Sequence, residues 1–95
     1  MKGGLNLKRV LIVEDEDAIR DFEVINLKRS GYEVVDVANG EEAMQVFDRN
    51  PHYFDVVLLD VMMPGIDGFE VCRRMREKNA SVGIIMLTAK SQEMD

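Results

Sequence analysis

The stretch Asp55-Val56-Val57-Leu58-Leu59-Asp60-Val61-Met62-Met63-Pro64-Gly65-Ile66-Asp67-Gly68 decides the fold. Val56 to Leu59 is unbroken apolar sequence with a carboxylate at each end. A strand with one wet face alternates polar and apolar residues. One that is apolar throughout predicts cover on both faces, as in a parallel sheet flanked by helices. Met63-Pro64-Gly65 predicts a turn, and Asp67-Gly-Phe-Glu70 the cap-like start of a helix running to about Lys78. Strand, turn and helix in that order make half of a βαβ unit.

The same pattern extends outward in both directions. Val10 to Val13 is another continuous apolar run, followed by a helix from Asp15 to Ser30. Glu16 and Asp17 suit that helix's N-terminal dipole, and Gly31 suits its stop. Glu33-Val34-Val35-Asp36-Val37 predicts a second strand, whose polar interruptions fit a sheet edge. Asn39-Gly-Glu-Glu42 has the form of a capping box and opens a helix to about Asn50. Ala43, Met44 and Phe47 face inward on it, and Pro51 ends it. Gly83 to Leu87 predicts a fourth strand, interior in composition. Lys90 to Asp95 is too short for a helix alone, with Ser91 as a candidate cap. Short connections favour right-handed crossovers onto one sheet, so the expected class is α/β with a doubly wound parallel sheet.

Composition narrows the function. Ninety-five residues make one domain, with 1–7 expected as a flexible leader and 8–95 as the folded unit. Twelve Lys and Arg against eighteen Asp and Glu leave a formal charge of −6, which argues against nucleic-acid binding by this segment. A lone cysteine, Cys72, cannot close an internal disulfide, and no apolar run approaches a membrane span. A cytoplasmic setting without a membrane partner is the expectation.

In an open parallel sheet, ligands bind outside the carboxyl ends of the strands. Glu14 and Asp15 directly follow the first apolar run, Asp60 the third and Thr88 the fourth. Neighbouring strands lie about 4.8 Å apart, so three carboxylates gather on one rim and repel one another. A hard cation resolves that conflict, and an all-oxygen site with open positions suits Mg²⁺. A carboxylate beside Mg²⁺ is a competent nucleophile for a phosphoryl group, and Thr88 is placed to hold the product by a hydrogen bond.

Val10-Leu-Ile-Val-Glu-Asp-Glu16, Asp55 to Gly68, and Ile85-Met-Leu-Thr-Ala89 together resemble the receiver domain of two-component response regulators. The resemblance runs from about Lys8 to the last residue. It implies a flavodoxin-like sheet with strand order 2-1-3-4, and Asp60 as the phosphoacceptor served by a sensor histidine kinase. It implies Mg²⁺ on Asp15, Asp60 and the Met62 carbonyl, with Glu14 acting through water. Thr88 matches the switch hydroxyl and Ala89 the small neighbour of the phosphoryl site. The family pattern continues through a further helix, a fifth strand carrying a lysine and a last helix. The chain is therefore expected to lack these and to leave the outer edge of the fourth strand open to a second copy. A DNA-binding output domain in a parent protein is a family-level expectation only. Lys90 follows Thr88 too closely to match the family's lysine.

Other polar residues read more plainly. Asp55 stands at the opposite end of its strand as a solvated terminus, and His52 as a surface residue. Cys72, Met62 and Met63 read as packing. Two rival functions remain. A haloacid-dehalogenase-like phosphatase fragment would want Asp-x-Asp-x-Thr, whereas Val61 and Met62 follow Asp60. An interaction module that never carries phosphate would have no use for Glu14, Asp15, Asp60 and Thr88 together.

Overall fold

Side-chain alternation sorts the two faces of the sheet. In the computed structural model, which describes residues 7–87, the elements are β1 (Arg9–Val13), α1 (Asp17–Arg29), β2 (Glu33–Val37), α2 (Gly40–Arg49), β3 (Val56–Asp60), α3 (Gly68–Lys78) and β4 (Gly83–Leu87). The four strands are parallel, in the order β2-β1-β3-β4. From β1 the chain steps one way to β2, then back across β1 to β3 and onward to β4. Right-handed crossovers therefore put α1 on one face and α2 and α3 on the other.

The two faces are unequal. Leu11, Val13, Val37, Val57 and Leu59 point toward α2 and α3, where Ala43, Met44, Phe47, Val71 and Met75 close a single core cluster. Each of these side chains except Ala43 contributes about 1.5–3 kcal/mol by leaving water. Val10 and Ile12 point the other way and are also buried, on the face where α1 packs against β1 and β2. Yet α1 has no buried residue of its own, and Phe22 and Ile25 are 67% and 53% exposed. Among the described residues β4 has no strand on its outer side, and Ile85 is half exposed. No described helix is long and apolar enough to cross a membrane.

Local chemistry refines the element boundaries. α1 begins at Asp17 rather than at the expected Asp15. The Glu16 N–H donates to Glu14 Oε2 at 3.1 Å and Glu16 keeps extended backbone, so the local side-chain bond competes with the helix. At its other end the Tyr32 N–H reaches the Leu27 carbonyl and the Gly31 N–H reaches that of Lys28. Gly31 has φ +96, the left-handed geometry of a Schellman stop. Asn39 caps α2 by accepting from the Glu42 N–H at 2.8 Å, but Glu42 reaches back to the Ala38 N–H, one residue beyond the cap that a true box would satisfy. Asp67 caps α3 through the Glu70 N–H at 2.9 Å, whereas the Glu70 carboxylate turns to Arg73 and Arg74. The expected leader falls outside the described residues except for Leu7, which is exposed.

Gly68 fixes how closely α3 approaches β3. Its N–H donates to the Val61 carbonyl at 3.1 Å, and a Cβ there would stand 2.5 Å from the Asp60 carbonyl oxygen and 2.7 Å from Val61 Cα. Both obstacles are backbone and cannot swing away. Gly68→Ala is expected to destabilise by about 1–3 kcal/mol through overpacking, outweighing any helix-propensity gain, which is at most about 1 kcal/mol. Urea unfolding measures it; an unchanged midpoint would show that the helix can retreat at no cost.

Candidate functional site

Parallel register delivers the strand ends together. Val13 lies opposite Leu59, and Asp60 opposite Leu87, so the residues that follow β1 and end β3 emerge side by side. Glu14, Asp15 and Asp60 each place a carboxylate oxygen so that all three lie within 4.8 Å of one another. Glu14 and Asp60 are buried, each 6% exposed, and Asp15 is half-buried. Buried carboxylates at this spacing are costly when ionised and unpaired.

The electrostatics follow from that geometry. Burial pushes the Glu14 carboxyl up to about 7, against the opposing pull of the Glu16 N–H and with help from the charge of Asp60. Burial also raises Asp60, the Met62 N–H lowers it by donating to Oδ1 at 3.1 Å, and neighbouring Asp15 raises it again. Glu23, on α1, is raised first by burial and then by Asp60.

The remaining predicted residues sort clearly. Met62 is 55% exposed rather than packed, because it lines an open hollow of about 460 Å³ with Val61, Met63, Asp67 and Phe69; Met63 alone of the pair joins the core. Thr88 and Ala89, like Lys90, lie outside the described residues. Cys72 packs half-buried against the core, and His52 is exposed. Asp55, at the far end of β3, accepts the Arg9 N–H at 2.9 Å and so joins the starts of two strands.

The sequence reading passed over Arg20. Its Nη1 donates to the Glu14 carbonyl at 2.9 Å and its Nη2 to Asp17 Oδ1 at 2.7 Å, while Nε pairs with Asp36 Oδ2 of β2 at 3.3 Å. Glu23 was passed over as well. Asp17, Arg20 and Glu23 recur every three residues, a helical spacing that puts them on one side of α1. That periodicity was the available signal.

Residues 10–95 match the family described as the response regulator receiver domain. The chain belongs to this family. Over 88 residues the receiver is 42% identical to the alkaline phosphatase synthesis transcriptional regulatory protein PhoP of Bacillus subtilis, covering 93% of this chain and 36% of that protein. It therefore spans about a third of that curated relative. Among solved structures, response regulator TrrA from Thermotoga maritima, in complex with Mg²⁺-BeF, is 42% identical with a TM-score of 0.84, covering 93% of this chain and 75% of that one. TrrA in complex with histidine kinase ThkA superposes with a TM-score of 0.81 at 42% identity, covering 94% and 75%. The sheet order and three helices are those of the flavodoxin-like receiver fold.

The acid cluster makes metal-free stability depend on pH. Folded Glu14 titrates near 7 instead of 4.5, so between these values the native state holds a proton that the unfolded chain has released. The Glu14 contribution to stability is then full below pH 4.5 and is lost as pH rises through 7. With a chelator present, the urea midpoint is expected to be higher at pH 5 than at pH 8, and Glu14→Gln to flatten the difference. A midpoint that rises over this range would contradict the cluster's electrostatics.

Proposed function

We propose that this receiver takes a phosphoryl group on Asp60 from the phosphohistidine of a sensor kinase, in a Mg²⁺-dependent step. The convergence of Glu14, Asp15 and Asp60 within 4.8 Å carries the reading. The donor set is oxygen only, suited to a hard dication. Asp15, Asp60 and the Met62 carbonyl would hold Mg²⁺, with Glu14 acting through water; one Glu14 oxygen already accepts the Glu16 N–H. When bound, the metal neutralises charge on the transferring phosphoryl oxygens.

The rest falls to the chain's own groups. A carboxylate oxygen of Asp60 attacks phosphorus, the bond from phosphorus to the kinase imidazole nitrogen breaks, and the imidazole leaves with its electron pair and takes up a proton. The product is an acyl phosphate. Asp60 must be ionised to attack, while its surroundings favour the protonated form; an added cation reverses that preference. The Met62 N–H fixes the carboxylate's orientation at 3.1 Å. Thr88 would hydrogen-bond the new phosphoryl oxygen and Ala89 would leave it room.

A receiver unit occupying 8–95 and acting in a larger regulator is consistent with the share of PhoP that the chain spans. PhoP is named a transcriptional regulator, which supports a DNA-binding output domain in the parent protein. A kinase partner is supported by the ThkA complex of TrrA.

Beryllofluoride, a phosphoryl mimic, tests the assignment by fluorine NMR. Binding is expected only with Mg²⁺ present and Asp60 intact. Asp60→Asn should abolish it, and Asp55→Asn should leave it unchanged, since an amide oxygen can still accept the Arg9 N–H. An Asp60→Asn chain that binds like the unaltered one would dismiss the phosphoacceptor role in favour of a pure interaction module.

A further inference from the structure

We infer that Arg20 is a positioning residue for the metal site, holding the β1–α1 turn so that Glu14 and Asp15 stay aimed at Asp60. The inference rests on the metal reading above. Beyond the last β1 pairs, Val13 with Val37 and with Leu59, the chain must leave the sheet and turn into α1 while keeping two acidic side chains on the rim. Residue 14 is where that departure is controlled. Its N–H is tied to the Val37 carbonyl at 3.1 Å, and its carbonyl takes Arg20 Nη1 at 2.9 Å. The peptide after Glu14 is also the one that starts Asp15, so fixing this carbonyl fixes both residues.

Three nitrogens of one guanidinium reach three parts of the fold. Nη1 holds the end of β1, Nη2 the first turn of α1 through Asp17, and Nε holds β2 through Asp36. Only 16% of the side chain is exposed, against 83% and 42% for its two acidic partners. A planar fork can serve three acceptors at once; the single head of lysine cannot. Backbone partners of this kind set ligand orientation and thereby metal affinity.

Charge and position make opposite predictions. Arg20 is a cation beside a proposed dication site, so Coulomb repulsion alone would make its removal tighten Mg²⁺ binding. Loss of positioning weakens it. Calorimetric titration of the full 95-residue chain with Mg²⁺ itself separates the two. Arg20→Ala is expected to weaken Mg²⁺ about tenfold. Arg20→Lys keeps the charge and is expected to stay weaker than the unaltered chain; it carries the test alone if Arg20→Ala fails to fold. Either variant binding Mg²⁺ as tightly as the unaltered chain, or more tightly, overturns the inference. No Mg²⁺ binding by the unaltered chain sinks the metal reading itself, and the inference with it.

Discussion

Parallel pairing forces like charges together. Strands that run the same way end on the same rim, and register then decides which residues meet there. Here Val13 is paired with Leu59, so the residues that follow them, Glu14 and Asp60, emerge as neighbours. Both are buried, and both are shifted toward the protonated form. The fold holds this unfavourable arrangement because the strands beneath it are among the best-packed parts of the molecule, with Leu11, Ile12, Val57 and Leu59 wholly buried. Stability spent at the rim is recovered in the core, as is common where a site is prepared for a ligand.

Three devices keep the rim in place, one on the α3 side and two on the α1 side. On the α3 side, Gly68 lets the helix start against the backbone of Asp60 and Val61, closer than any side chain would permit. On the α1 side, a local bond from the Glu16 N–H to Glu14 delays the helix by two residues. Arg20 then fastens the turn to both α1 and β2. All three act on the backbone. Their effect is on direction, the quantity that matters where three oxygens must meet within a few ångströms.

The two faces of the sheet differ in completeness. α2 and α3 close a continuous core over Leu11, Val13, Val57 and Leu59. α1 stands on the opposite face with Phe22 and Ile25 exposed, and Ile85 of β4 shares that exposure. The chain covers 75% of the TrrA chain it resembles. Its acid cluster stands at the ends of β1 and β3, the two central strands of the described sheet, and not at its margins.

The sequence by itself determined the elements, the two-sided burial of Val10 to Val13, and the sharing of one rim by Glu14, Asp15 and Asp60; on β3 only Val57 and Leu59 are fully buried, and Val56 and Leu58 are half-buried. All three follow from composition and period, which are local. The edge position of β2 was legible for the same reason, since Asp36 interrupts its apolar run. Tertiary structure alone decided three other things. Helix α1 starts at Asp17 because the Glu14 carboxylate, three residues earlier, captures the Glu16 amide. Met62 turns outward while Met63 packs, although the two are chemically alike in sequence. Arg20 bridges three elements that lie up to 22 residues apart, from Glu14 to Asp36. Each depends on which atoms an individual side chain reaches in the folded chain, and periodicity does not specify that.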